Sequence, residues 1–360
     1  MFDYSRRIAG AGAEMARRSV DVLLLSVGAD LPYLTGYEAM PLERLTMLVL
    51  SMESEPTLVV PELEAPRVGM GPLHVRPWKE TEDPIPLVAG LVGQPRVAAV
   101  GDQLWSVFLL GLQERLPDTR FVSATPITRP LRMVKDAAEV EALRAAGAGV
   151  DRVVERLAEE RFSGRSEQEM ARRVAFLTLE EGHDQATFWI VASGPNGASP
   201  HHEPGARVME KGDLVVVDFG GKVRRYGSDC TRTFSIGAPS QEQVEVHAVV
   251  LAAQQAATAA VRPGVTAESI DQVARSIIVE AGYGEYFIHR TGHGIGLEGH
   301  EHPYLVEGNA ETLQPGMCFS VEPGIYLPGR FGVRIEDIVT VTQDRVESLN
   351  QADRSLIVVG

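Results

Sequence analysis

Apolar and polar positions follow two regimes along the chain. Up to about residue 125, short apolar runs stand apart from one another: VDVLLLS at 20–26, LTMLVLS at 45–51, TLVV at 57–60 and RVAAVG at 96–101. Runs this short and this rich in β-branched residues predict strands. Between them the pattern changes to a helical period, over residues 5–18 and again near 104–112. Strands separated by helices predict an α/β domain built on a sheet.

The pattern changes within SATPITRPLRMVKD at 123–136, where Pro126 and Pro130 interrupt the periodicity. A boundary there gives an N-terminal domain over 1–128 and a second over 129–360. Asp136 can cap a helix running through residue 157. Ser166, with Glu169 three residues on, is a capping box opening another. Two further helices fit 240–261 and 266–281, separated by Arg262-Pro263-Gly264. Strand-like runs fall at 188–192, 214–219, 226–236, 317–325 and 334–342, so an α+β domain is predicted. No internal repeat or low-complexity segment is visible.

Composition narrows the possibilities. At 360 residues, 44% hydrophobic and 23% charged, the chain is an ordinary globular one of about two domains. The net charge of −15 disfavours binding to phosphate backbones, so no nucleic-acid partner is expected. Two cysteines, Cys230 and Cys318, form no CxxC pair and fit a reducing compartment. The first apolar run is broken by Asp21 and is far too short to span a bilayer. A cytoplasmic protein with no membrane association is expected.

The second domain holds the candidate chemistry, and eight of the nine histidines. In LVVVDFGG at 214–221 three valines lead into Asp218. Alone, that residue reads equally well as a turn aspartate before Gly220-Gly221. SDCTRTF then opens with Asp229 nearby, and a hairpin around Gly220 to Gly227 would bring the two carboxylates together. MCFSVEPGIY places Glu322 after an apolar strand, and GVRIEDIVTV places Glu336 within another. Carboxylates in apolar strands are costly unless paired or ligated. Arg334 offers one such alternative, because residues two apart share a strand face and it could pair with Glu336. In TGHGIGLEGHEHP at 291–303 the glycines around His293 permit a close backbone approach. The GxGxxG within it lacks the strand-then-helix setting of a dinucleotide site. Four carboxylates, one imidazole and no thiolate form a hard site suited to Mn²⁺, with Co²⁺, Zn²⁺ or Fe²⁺ possible. Two ions use four negative ligands well, activating water and polarising a carbonyl, which is hydrolase chemistry.

In order, spacing and local sequence, Asp218, Asp229, His293, Glu322 and Glu336 resemble the ligands of the pita-bread metallopeptidases. That family includes methionine aminopeptidase, aminopeptidase P, prolidase and the non-metal creatinase. The resemblance covers residues 130–360, while residues 1–125 resemble the creatinase-type N-terminal domain, with YLTGY at 33–37. Methionine aminopeptidases lack that domain, so the Xaa-Pro branch is indicated. The resemblance implies that Asp218 chelates one ion, that Asp229 and Glu336 bridge both, and that His293 and Glu322 complete the other. Glu322 would also move the proton between water and leaving nitrogen. His201 and His300 resemble the family's two substrate-contacting histidines, with His300 placed to stabilise the tetrahedral oxygen.

Substrates would be small peptides with proline second, the ring seated near His201, His300, Phe188 and Tyr326. A homodimer is implied as well. Prolidase, acting on Xaa-Pro dipeptides, is favoured over aminopeptidase P, acting on longer peptides. Some prolidases bind the dipeptide carboxylate with an arginine where this chain has Tyr304. A catalytically dead binding protein is disfavoured, because the five ligand positions and both histidines are retained.

Overall fold

Strands in this chain form where both faces can be covered, and helices start where a side chain satisfies the first free N–H groups. In the computed structural model, residues 2–69 and 73–360 are described. They divide into two compact units, Met1–Arg132 and Met133–Gly360.

The first unit begins with α1 (Tyr4–Arg17) and continues through β1 (Val22–Leu25), α2 (Asp30–Thr35), β2 (Met47–Ser51), β3 (Thr57–Pro61) and β4 (His74–Trp78). It is completed by α3 (Pro84–Val92), β5 (Val97–Val100), α4 (Ser106–Arg115) and β6 (Arg120–Ser123), and α5 (Thr125–Met133) crosses its end. The strands form one mixed sheet in the order β4-β3-β2-β1-β5-β6. The four apolar runs named above are its four inner strands. The two edges were not predicted, because β4 (HVRPW) and β6 (RFVS) are short and largely uncovered. Pro77, which cannot donate to a ladder, is tolerated at such an edge. The stretch 123–136, read above as holding the boundary, contains α5. Pro126 lies in its first turn, where a missing N–H costs nothing, and Pro130 removes a single bond.

The second unit opens with α6 (Ala137–Ala158) and α7 (Glu167–Glu180), both started by capping boxes, Asp136 with Glu139 and Ser166 with Glu169. Then come β7 (Gln185–Ser193), β8 (Leu214–Val223), β9 (Tyr226–Gly227), β10 (Cys230–Ile236), α8 (Gln241–Ala260) and α9 (Ala267–Glu280). The C-terminal part holds β11 (Gly292–Gly294), β12 (Glu301–Leu305), β13 (Cys318–Val321), β14 (Gly324–Leu327), β15 (Phe331–Arg334), β16 (Asp337–Val341), β17 (Val346–Ser348) and β18 (Ile357–Val359). One sheet runs β18-β10-β8-β7, a second β12-β11-β13-β16-β17, and β14 pairs with β15. Helices α6 and α7 share an apolar core with the first sheet, and α8 and α9 share one with the second.

The two sheets are joined by polar contacts along β10. Arg232, 1% exposed, donates from Nη2 to Asp337 Oδ1 at 2.7 Å, from Nη1 to the Glu336 carbonyl at 2.7 Å and from Nε to the Asp353 carbonyl at 2.7 Å. Asp337 also accepts from Gln254 and Arg354. Removing one member of a buried, hydrogen-bonded pair leaves the other groups desolvated and unmatched. Arg232→Leu is therefore expected to lower unfolding stability by about 3–5 kcal/mol, measured by denaturant titration. A loss under about 1 kcal/mol would mean that the contact behaves like a surface pair.

Candidate metal centre

The hairpin logic holds in detail. In the β8–β10 register Asp218 stands opposite Thr231. Asp229 immediately precedes β10, and its carboxylate places an oxygen within 4.8 Å of Asp218. Glu336 arrives from the other sheet, and its N–H donates to the Thr231 carbonyl at 3.1 Å.

Glu336 does not sit inside a continuous strand. The run expected over 334–342 changes partner at residues 335–336, with β15 paired to β14 and β16 paired to β13. The 317–325 run breaks likewise after β13, at Glu322-Pro323, where Pro323 has no N–H to continue the ladder. Both glutamates thus lie at breaks, where the backbone can turn a carboxylate away from the sheet. The strand-face argument for Arg334 fails for the same reason, and the alternative pairing with Glu336 does not form. Arg334 Nη2 instead donates to Asp218 Oδ2 at 2.5 Å, and its other donors reach Thr231 Oγ1, Tyr326 Oη and the Pro200 carbonyl. Glu336 accepts from Thr231 Oγ1 at 2.6 Å.

His293 lies on β11 between two glycines whose smallness is required. A Cβ on Gly292 would stand 1.9 Å from the Ser320 carbonyl oxygen, and one on Gly294 would stand 2.2 Å from that of His302. Its Nδ1–H donates to the Gly294 carbonyl at 3.1 Å, so the Nε2 lone pair faces the acids. Nε2 is 3.2 Å from Glu322 Oε1 and 3.7 Å from Asp229 Oδ2. Burial lowers the pKa of this imidazole to about 4, which keeps it neutral. Ser320 Oγ accepts from the His293 N–H and donates to Glu322, fixing the two together.

Potential ligand atoms form overlapping groups, each within 4.8 Å: Asp218, Asp229 and Glu336; His293, Glu322 and Glu336; and Asp229, His293 and His300. Burial, and then the neighbouring carboxylates, push Asp229 and Glu336 well above the usual carboxylate range, and burial raises Glu322 too. Asp218 Oδ1 and Glu336 Oε1 are buried with no protein hydrogen-bond partner. Unmatched buried oxygens facing a neutral imidazole are the donor set a hard divalent cation takes.

The centre lies in a cavity of about 490 Å³ whose walls include Phe188, Ile190, His201, His289, Arg290 and His300. His300 is on the rim, its ring centroid 3.9 Å from that of His293. His201 lines the cavity from the loop at 194–205, whereas His202 bonds Glu167 Oε2 at 2.8 Å. No local pattern marks Glu167. Its side chain is fully buried and accepts from Ser193, Asn196 and the Gly205 N–H, which folds that loop. Tyr326, expected beside the proline ring, is 2% exposed and engaged elsewhere. It accepts from Arg334 and donates to His289 Nε2 at 2.8 Å, and His289 Nδ1–H donates to the Arg290 carbonyl at 2.7 Å. His289 had no expected role.

The profile of "Metallopeptidase family M24" matches residues 141–343, and that of the "Creatinase/Prolidase N-terminal domain" matches residues 7–134. The chain belongs to metallopeptidase family M24, in the two-domain pita-bread branch that carries the creatinase-type N-terminal domain. It is 47% identical to the probable dipeptidase PepE of Mycobacterium tuberculosis, over 99% of this chain and 96% of that protein. Among solved structures it resembles a prolidase from Thermococcus sibiricus, with 39% identity, TM-score 0.95 and all of both chains covered. It also resembles an X-Pro aminopeptidase from Thermotoga maritima, with 32% identity, TM-score 0.88 and again full coverage of both.

The raised carboxylates carry a stability signature. Protons retained by the metal-free native state are released on unfolding, so that stabilisation is present at low pH and is lost as pH rises through the elevated folded values. The melting temperature of the metal-free protein is expected to fall from about pH 4 upward, relative to the Mn²⁺-loaded protein. The gain on loading should therefore widen with pH in calorimetry. A gain that is constant across pH would contradict the assignment.

Proposed function

We propose that the chain is an Xaa-Pro dipeptidase holding two divalent cations, manganese first among them. The convergence of four carboxylates and a neutral imidazole, with Asp218 Oδ1 and Glu336 Oε1 buried and without a protein partner, carries this reading. Asp218, Asp229 and Glu336 would hold one ion, and His293, Glu322, Asp229 and Glu336 the other. Bound there, the ions supply an activated water and a polarised scissile carbonyl. Glu322, fixed by Ser320, would take a proton from the attacking water and deliver it to the proline nitrogen. His300 and His201 on the cavity wall donate to the oxygen that gains charge. Arg334 offsets one of the four negative charges and orients Asp218. Phe188 and Ile190 offer an apolar wall to the proline ring.

The dipeptidase reading is supported by the likeness to the probable dipeptidase and to the prolidase, and the likeness to an X-Pro aminopeptidase keeps aminopeptidase P as the second reading. We propose further that the enzyme is cytoplasmic and, as the family resemblance implies, a homodimer. Cys230 and Cys318 are buried free thiols, and no helix of the described residues is long and apolar enough to cross a membrane.

The test is hydrolysis of Ala-Pro beside Ala-Pro-Ala by Mn²⁺-reconstituted protein. Turnover of the dipeptide alone is expected. Turnover of the tripeptide alone would make the enzyme an aminopeptidase, and turnover of neither by metal-loaded protein would end the Xaa-Pro reading. Asp229→Asn is expected to reduce kcat by at least about 10³-fold, the order seen when a key charge-stabilising group is lost, and retained activity would refute its bridging role.

A further inference from the structure

A dipeptidase has to recognise a free C-terminal carboxylate, and in Xaa-Pro that group is attached to the proline Cα, next to the scissile nitrogen. Its partner must therefore stand beside the reacting centre. Two arginines line the cavity. Four of the five N–H groups of Arg334 are taken up by Asp218, Thr231, Tyr326 and the Pro200 carbonyl, and its charge is already paired with Asp218. Arg290 is half-buried, three residues before His293, and no carboxylate pairs with it among the described residues. Its contacts are the face of Tyr304, 4.2 Å from guanidinium carbon to ring centroid, and His300 Nδ1 at 3.4 Å from Nη2.

We propose that Arg290 binds the substrate's C-terminal carboxylate and that Tyr304 is its platform. The assignment rests on the Xaa-Pro reading above. A planar fork is suited to a carboxylate, and stacking on an aromatic face fixes its plane before substrate arrives. The backbone beneath it is fixed as well. Asp271 accepts from the Thr291 N–H and hydroxyl, and Arg275 donates to the carbonyls of Phe287 and His289. Tyr304 thus supplies the surface on which a neighbouring arginine is presented, instead of supplying the positive charge itself.

The experiment compares Ala-Pro with Ala-Pro amide, which lacks the carboxylate, in wild type, Arg290→Gln and Arg290→Lys. Wild type is expected to favour the acid, and Arg290→Gln to reduce that preference in kcat/KM by roughly 10- to 100-fold, through KM for the acid. Arg290→Lys should restore part of it. A preference unchanged by Arg290→Gln, or wild-type turnover of both substrates without preference, overturns the proposal. Wild-type turnover of neither substrate would instead show that the Xaa-Pro reading has failed. Calorimetric binding of proline and prolinamide to metal-loaded wild type gives a readout that depends on neither turnover nor a variant's folding. Tighter binding of proline is expected, and equal binding overturns the proposal.

Discussion

Mutual repulsion among buried carboxylates is the constraint around which the second unit is arranged. Asp218, Asp229 and Glu336 place oxygens within 4.8 Å of one another. Were all three ionised, at about 4 Å and an effective dielectric of ~20, each like-charged pair would oppose the arrangement by about 4 kcal/mol, and the raised carboxylates show that the metal-free cluster answers by keeping protons. Such a cluster persists only if its backbone cannot relax away from it. Two features prevent that. The β8–β10 ladder holds Asp218 opposite Thr231 and anchors the strand that Asp229 leads into, and Arg232 fastens the carbonyl of Glu336 and the carboxylate of Asp337 to β10. The strain is thus held by the joined sheets, and a bound cation turns it into affinity.

Much of this was legible in the sequence, because the costly features are local. A valine run that ends in aspartate, glycines on both sides of a histidine and glutamates in apolar strands each break a simple pattern. Each break marks a place where the structure brings unusual groups together. The capping boxes before α6 and α7 were legible for the same reason, since helix starts depend on residues three apart. The partner of Arg334 was not legible. Alternation along one strand pointed to Glu336, but the chain changes partner at residues 335–336, and a contact to Asp218 crosses 116 positions. Strand breaks at Glu322 and Glu336 leave no period to read. The uncovered edges β4 and β6 have too little apolar character to stand out. Glu167, Asp271 and Arg275 were invisible because their work is done on distant backbone.

These distant residues matter because the site needs fixed protonation as much as fixed position. In His293 and His289 alike, Nδ1–H is committed to a backbone carbonyl, which sets the tautomer and leaves Nε2 as an acceptor. At His293 that acceptor faces the carboxylates. At His289 it receives the Tyr326 hydroxyl, which itself accepts from Arg334. Burial lowers the pKa of both rings and keeps them neutral, so neither adds a positive charge that would compete with a cation.

The resulting chain of hydrogen bonds runs from Asp218 through Arg334, Tyr326 and His289 to the carbonyl of Arg290. Each link has one donor and one acceptor and no alternative polarity, because Arg334 can only donate and the Arg290 carbonyl can only accept. The chain therefore ties the backbone of Arg290 to Asp218, both of which line the cavity. For a substrate of two residues this spacing is decisive. Its carboxylate and its scissile carbonyl are separated by only a few bonds, and a small displacement at either end would separate the reacting atoms. A longer peptide could tolerate looser placement by adding contacts elsewhere, whereas a dipeptide has no further residue with which to do so.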